Sequence, residues 1–214
     1  MYIPTHFRET RPDVLHGFVT RFPLATLITV SPDGISANHV PMLWIAAVDG
    51  LGRLHGHVAR ANSLWREAAA DSDVLAVFTG PQHYVSPSWY PSKREHGKVV
   101  PTWNYSSVQI RGRIRFIHDE GWLRTMVASL TERHEQQREQ PWRIEDAPAG
   151  YLDDMLRAIV GLEITVSAVE GKFKGSQNRD AADRIGVANA LRAEGLSVEE
   201  VAQLAPPPDL PQAR

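Results

Sequence analysis

A polar segment follows a strand-like apolar run in the stretch GHVARANSLW, residues 56–65. The side chains of this segment that can donate hydrogen bonds are His57, Arg60, Asn62 and Ser63. A guanidinium, an amide and a hydroxyl beside the free N–H groups of a helix start are groups that bind a phosphate. The alternative is a helix cap beside a surface arginine, and the residue types alone leave both interpretations open.

Two further basic segments carry candidate ligand contacts. In SPSWYPSKREHGKVVPTWNY, residues 86–105, cations alternate with aromatic rings. Such a segment suits a flat heteroaromatic ligand with a phosphate, single-stranded nucleic acid, or a rigid loop in a dimer. In GKFKGSQNR, residues 171–179, two alternating lysines precede side-chain donors at a predicted helix start. The alternative for this second segment is a solvated turn with a good helix cap.

The residue types exclude several kinds of chemistry. The chain has no cysteine, which rules out disulfides, thiolate catalysis and cysteine-bound metals. His55 and His57 lie two apart on a predicted strand, but no third ligand accompanies them, so we predict no metal site. The glycines of GLGRLHG, residues 50–56, join two predicted strands and are interpreted as a hairpin turn instead of a dinucleotide fingerprint. Because neither a nucleophile elbow nor a carboxylate pair is found, we assign no catalytic residue.

Charge and composition limit the partners that we expect. The 214-residue chain has a formal net charge of −2, so it has no general attraction to nucleic acid or acidic membranes. Residues 86–115 hold a local excess of positive charge, with six basic residues against one acidic residue. No apolar run reaches the roughly 20 residues that span a bilayer. The first residues contain charges and prolines instead of a signal sequence, so we expect a cytoplasmic protein with no membrane partner.

Hydrophobic periodicity predicts the elements that position these residues. Alternation predicts antiparallel strands through most of residues 24–117, with three in a meander over residues 24–59, and a last strand at residues 159–171. The connection at residues 82–102 is longer than a simple loop. Together these elements predict a small antiparallel β-barrel with helical additions. The predicted helices cover residues 13–22, 63–70, 119–137 and 151–159, and two more lie in residues 180–204, with a break at Gly195 and a cap at Ser197.

Five segments taken together, and in this order, resemble the PaiB family of FMN-binding negative transcriptional regulators. The segments are MYIPTHF, GHVARAN, SPSWYPSKREHGKVVPTWNY, AIVGLEI and KGSQNR, and the resemblance covers Met1 to about Leu191. It implies an α+β, mainly β fold, namely an FMN-binding split β-barrel with peripheral helices. The family also implies a homodimer with FMN near the subunit interface. We accordingly predict a split-barrel domain with its peripheral helices at residues 1–191, and a C-terminal helix and proline-rich tail at residues 192–214.

The resemblance also implies roles for particular residues toward FMN. The segment after the third strand of such barrels contacts FMN, which makes His57, Arg60, Asn62 and Ser63 phosphate or ribityl candidates. The strand SANHVP is expected beside the isoalloxazine ring, with Asn38 and His39 as ring contacts. The remaining candidates, from the same or the partner subunit, are Lys93, Trp103, Asn104, Lys174, Gln177 and Asn178.

Three functions follow as hypotheses. The first is an FMN-binding negative transcriptional regulator that acts as a dimer, and the second is a flavin-dependent oxidoreductase without direct DNA binding. The third, more remote, is a haem protein with a histidine as axial ligand. No helix-turn-helix is evident, and residues 180–204 contain three glutamates but only Arg184 and Arg192 as cations. Such a charge pattern is a poor DNA footprint, so repression is expected to be indirect.

Overall fold

The computed structural model describes residues 1–148 and 150–208. The helices are α1 (Pro12–Arg21), α2 (Leu64–Glu67), α3 (Ser92–His96), α4 (Glu120–Glu135), α5 (Tyr151–Arg157), α6 (Ala181–Ala193) and α7 (Val198–Leu204). The strands are β1 (Arg8–Glu9), β2 (Leu24–Ser31), β3 (Gly34–Pro41), β4 (Leu43–Ile45), β5 (Arg53–Ala59), β6 (Asp73–Val85), β7 (Thr102–Ile117) and β8 (Ile159–Lys174). Short 3₁₀ turns occur at Thr5–Phe7, Pro87–Trp89 and Ile144–Asp146.

The strands form a sheet in the order β3-β2-β6-β7-β8-β5-β4, and β1 pairs with β8. The chain groups into two compact units. The first unit contains residues 1–18, 79–109 and those from 170 onward, and the second contains residues 19–78 and 110–169.

The second unit contains the curled part of the sheet. Strands β3 and β4 lie at opposite ends of the strand order, yet a single residue, Met42, separates them in the chain. The two ends of the sheet must therefore approach each other. They do so at Gly56 of β5, where a Cβ atom would lie 2.9 Å from the carbonyl oxygen of Pro41. This curled antiparallel sheet, with helices around it, is the split-barrel architecture that the sequence predicts.

Alternation along the strands places one face of each strand in the core. On β7, Ile110 and Ile114 are fully buried, whereas Arg111, Arg113 and Arg115 lie on the exposed face, as the sequence predicts. The same alternation buries one set of residues on each neighbouring strand. These residues are Ala25 and Leu27 on β2, Leu54 and Val58 on β5, Ala76 and Phe78 on β6, and Leu162 and Ile164 on β8.

The helix predictions are largely confirmed. Helices α1, α4 and α5 begin and end within two residues of the predicted bounds. At the C-terminal end, Gly195 has a φ of +90° and separates α6 from α7, and the hydroxyl of Ser197 accepts a bond from the N–H of Glu200. Part of the predicted proline-rich tail, residues 209–214, lies outside the described residues. The predicted domain boundary at Leu191 stays a prediction.

Three local predictions are wrong in extent. The predicted helix at residues 63–70 is shortened to α2, because Ala68 is extended and Asp71 takes a φ of +61°. The predicted return strand of the meander is split at Met42, whose N–H donates to the carbonyl of Pro23, so β3 pairs with β2 and β4 pairs with β5. The long connection shrinks to residues 86–101, because β6 continues to Val85.

The first unit has its own small core beneath α6 and α7. Tyr90, Val187, Leu191 and Leu204 are buried together in it. The 86–101 connection is fastened to α6 by Ser92, whose hydroxyl donates to the Asp183 carboxylate over 2.7 Å. This bond ties the start of α3 to α6 within the first unit.

Replacing Gly112 by alanine tests the close approach of β7 and β8. A Cβ atom at Gly112 would lie 2.3 Å from the carbonyl oxygen of Thr165. We expect Gly112→Ala to lower the free energy of unfolding by about 1–3 kcal/mol, because backbone atoms must move apart. Urea denaturation measures this change.

Gly17→Ala is the matched control, since nothing lies within 4 Å of a Cβ at that position in α1. Removing a glycine from a helix interior should raise stability by about 0.5–1 kcal/mol. Equal effects of the two substitutions would contradict the described strand contact.

Candidate functional site

The turn that follows β5 is held against the start of β8. In the second unit, Ala59 of β5 is paired with Ile159 of β8. The N–H of Arg60 then donates to the carbonyl of Ala158 over 2.7 Å, and the N–H of Asn62 donates to Ala59 over 2.9 Å. The backbone of the candidate phosphate segment is therefore a tight turn anchored to two strands.

Asn62 joins this turn to β3. Its Nδ2 donates to Oδ1 of Asn38 over 2.8 Å, and its own Oδ1 accepts from the N–H of Leu64 over 2.9 Å. Both asparagines are half-buried, while Ser63 beside them is exposed. The structure thus brings together three of the predicted FMN contacts. His39, next to Asn38, lies on the other face of β3 and is exposed, so the two do not share a face.

Arg60 uses most of its guanidinium inside the second unit. Its Nε donates to the carbonyl of Arg157 over 2.6 Å, and Nη2 donates to the carbonyl of Ile159 over 2.8 Å. Nη1 lies 3.4 Å from Nδ1 of His118. These bonds fasten the turn to the residues that begin β8. A contact between Arg60 and phosphate stays a prediction.

His55 and His57 share the outward face of β5 and are largely withdrawn from water. Burial lowers the pKa of His57, and Nδ1 of its ring has no hydrogen-bond partner among the described residues. Burial also lowers the pKa of His55, although Glu163, with an oxygen 3.2 Å from Nε2, partly opposes the shift. The Trp122 ring lies 5.0 Å from the His55 ring. Both imidazoles are therefore neutral at pH 7.

Sequence reasoning missed Glu163 as the charged centre of this face. Its carboxylate is only 4% exposed and lies 3.2 Å from Arg53 and 3.6 Å from Arg115. The signal was present, because an acid within the otherwise apolar strand segment IVGLEI requires a buried cationic partner. The partners themselves come from β5 and β7, far away in sequence.

The first unit gathers the candidates from two other motifs. Nζ of Lys174 donates to Oγ1 of Thr102 and to the carbonyl of Trp103, each over 2.5 Å. Nδ2 of the fully buried Asn104 donates to Oγ of Ser176 over 2.8 Å. The motifs PTWNY and KGSQNR, some seventy residues apart, are thus joined side by side.

The environments of these candidates differ. Burial, with a smaller effect from Lys172, lowers the pKa of Lys174. Gln177 is used locally, since its Oε1 accepts from the N–H of Gly175 and its Nε2 donates to Phe173. Trp103 is 48% exposed and contacts the ring of Tyr84 edge to face. Lys93 and Asn178 are exposed. FMN contacts by these residues stay predictions.

The polar groups at the turn after β5 fit a phosphorylated, hydroxyl-bearing ligand. Asn38, Asn62 and Ser63 supply amide and hydroxyl groups, and the buried Nδ1 of His57 is a polar atom that lacks a partner among the described residues. The curled antiparallel sheet places the protein in the class of split β-barrels, and the polar turn at a strand end offers groups that suit a flavin phosphate.

Comparison with known proteins agrees with this class. The chain belongs to the family described as "Putative FMN-binding domain", whose model matches residues 1–168. This match includes the whole turn and the PTWNY motif, and it ends before Lys174. The FMN cofactor and the family that the sequence resemblance implied are therefore confirmed.

One relative and two solved structures illustrate the similarity. The "Protease synthase and sporulation protein PAI 2" of Bacillus subtilis is 32% identical over 95% of this chain and 96% of its own. The FAD and heme binding protein from Mycobacterium smegmatis has a TM-score of 0.58 at 17% identity, covering 89% of this chain and 80% of its own. The flavocytochrome Anf3 from Azotobacter vinelandii has a TM-score of 0.54 at 14% identity, covering 78% and 68%. The two structures establish the fold.

Two kinds of site are absent from the part of the chain that the structure describes. Within residues 1–148 and 150–208, no three histidine or acidic side chains are arranged to hold a metal ion. Among the same residues, no helix has the length and apolar character needed to cross a bilayer.

The buried histidines predict a loss of stability in acid. The unfolded chain takes up protons at these imidazoles below a pH of about 6.5, while the folded chain resists protonation because both pKa values are lowered. The free energy of unfolding should therefore fall as the pH drops through and below that value. Urea titrations at a series of pH values measure the slope.

His57→Leu should flatten this pH dependence, since it removes one of the two groups. His134→Leu, on the exposed surface of α4, is the matched control. If the free energy of unfolding of the His57→Leu protein falls in acid as steeply as that of the wild type, protonation of His57 does not cause the fall.

Proposed function

We propose that this protein is an FMN-binding negative transcriptional regulator that acts as a homodimer. The proposal is supported by the similarity to the Bacillus subtilis protein, whose name connects it with protease synthesis and sporulation and which aligns over nearly the full length of both chains. The site geometry supports the flavin part of the proposal. The polar turn after β5 is the observation that carries it.

In this proposal the turn holds the phosphate and ribityl groups of FMN. Asn62 and Ser63 donate to the ligand, and Asn38 keeps the Asn62 amide in position. Arg60 acts as a positioning residue, because its bonds to the carbonyls of Arg157 and Ile159 hold the turn in place. When bound, FMN supplies a ring that takes up and releases electrons. The neutral His57 adds a polar atom without adding charge.

An exposed apolar surface supports the homodimer. On the outward face of the β2–β3 hairpin, Val30 and Ile35 are cross-strand partners and are 62% and 78% exposed. Leu24 is also exposed on this face, and β3 lies at the end of the strand order. Exposed apolar residues on a terminal strand are typical of a surface that pairs with another copy.

The arginines of the second unit favour regulation without direct DNA contact. Arg113 is paired with Asp71, and both Arg53 and Arg115 lie beside Glu163. Arg53 and Arg115 share the single charge of Glu163, so pairing reduces the positive charge that this unit presents to DNA. A role through DNA would also involve exposed cations of the first unit, among them Lys93, Arg94 and Lys98.

FMN affinity of Asn62→Ala tests the flavin site. We expect the substitution to weaken FMN binding by about 1–3 kcal/mol, roughly five- to 150-fold, because a donor to the ligand and the link to Asn38 are lost together. Quenching of FMN fluorescence on titration with protein measures the affinity. Asn189→Ala, on α6, is the control and should bind like the wild type. Wild-type affinity in the Asn62→Ala protein would place FMN elsewhere.

The same variant tests the regulatory role in the host cell. Transcript levels in a strain that carries Asn62→Ala should match those of a deletion strain, with the same genes derepressed. If the variant restores normal transcript levels while it fails to bind FMN, regulation does not depend on the cofactor. If the deletion changes no transcripts and the purified protein oxidises a nicotinamide, the oxidoreductase alternative is favoured.

Ile35→Lys tests the dimer surface. A lysine at this position would place a charge on the apolar face beside Val30, so we expect the protein to change from a dimer to a monomer. Light scattering coupled to size-exclusion chromatography measures the mass. Val48→Lys, at a fully exposed loop position, is the control and should stay dimeric. A dimeric Ile35→Lys protein would mean that another surface pairs the chains.

A further inference from the structure

A cavity lies in the second unit, between the C-terminal half of α4 and residues 141–145. Its volume is about 470 Å³, which is within the range of small-molecule sites. The proposed flavin site does not include this cavity. The residues that line it determine which ligand chemistry it could accept.

One wall of the cavity is aromatic and apolar. Trp142 lines it and is 45% exposed, and the buried Ile144 lies beside it. An indole that lines a cavity can contact the alkyl part of a ligand and, where its ring face is presented, attract a positive charge. Trp142 is held in place by its own backbone N–H, which donates to Glu135 over 3.2 Å.

The other wall is acidic. Glu132, Glu135 and Glu145 line the cavity, and Arg143 is the one cation in its lining, which leaves a net charge of −2. Glu135 is already occupied, since it also accepts from Arg138 over 2.9 Å. The carboxylates of Glu132 and Glu145 have no hydrogen-bond or ion-pair partner in the described part of the chain, so they are available to a ligand.

From these walls we infer that the cavity binds a small organic cation, namely a primary alkylammonium ion. Glu132 and Glu145 accept hydrogen bonds from the ammonium group, and Trp142 and Ile144 contact the alkyl chain. An anion such as the FMN phosphate is repelled by the same carboxylates. The inference therefore does not depend on the proposed flavin function, and it assigns a second ligand to the chain.

Isothermal titration calorimetry with n-butylammonium chloride tests the inference on the full-length protein at about 0.15 M salt. We expect saturable binding of one butylammonium per chain, and n-butanol should bind at least about tenfold more weakly. Absence of saturable heat with butylammonium would overturn the proposal. Equal binding of butanol would also overturn it, because the carboxylates would then contribute nothing.

Variants localise the binding to this cavity. The double variant Glu132→Gln and Glu145→Gln should lose at least about tenfold in butylammonium affinity, and Trp142→Leu should lose severalfold. Glu139→Gln, an exposed acid of the same connection that does not line the cavity, should bind like the wild type. The urea midpoint and the FMN affinity of each variant should be unchanged. A folded double variant with wild-type affinity would contradict the assignment.

Discussion

The link between β3 and β4 is the constraint on which the second unit depends. A single residue, Met42, joins two strands that lie at opposite ends of the strand order, so the sheet has to curl until its ends meet. Gly56 permits that meeting, because any side chain there would collide with the backbone of β3. The curl brings Asn38 on β3 to Asn62 after β5, and the polar turn of the flavin site results from it.

Burial and pairing of charge determine the chemistry around that turn. Arg53, His55 and Arg115 all lie against the one buried carboxylate of Glu163, which cancels one of the two guanidinium charges on this face. The histidines beside it are kept neutral by burial. A face of this kind suits hydrogen bonding to a ligand, whereas long-range attraction of a polyanion requires unpaired cations. The cavity beside α4 is lined mainly by acids, so it favours a cation over an anion.

The sequence predicts the strands and helices well, because alternation and helical spacing are local properties. The buried isoleucines and exposed arginines of β7 show this directly. Alternation could also have shown that Asn38 and His39 face opposite sides of β3. The partners of the candidate residues could not be predicted. The bonds of Asn62 with Asn38, of Arg60 with Arg157 and of Lys174 with Thr102 join residues 24, 97 and 72 positions apart. Such pairs depend on strand order and register.

Calorimetric titration of the wild-type protein with FMN and, in parallel, with riboflavin tests whether the turn after β5 binds the phosphate. The polar turn is assigned to the phosphate and ribityl groups, so we expect one FMN per chain and riboflavin binding at least about tenfold weaker. Equal affinities for the two ligands, or no binding of FMN, would contradict it.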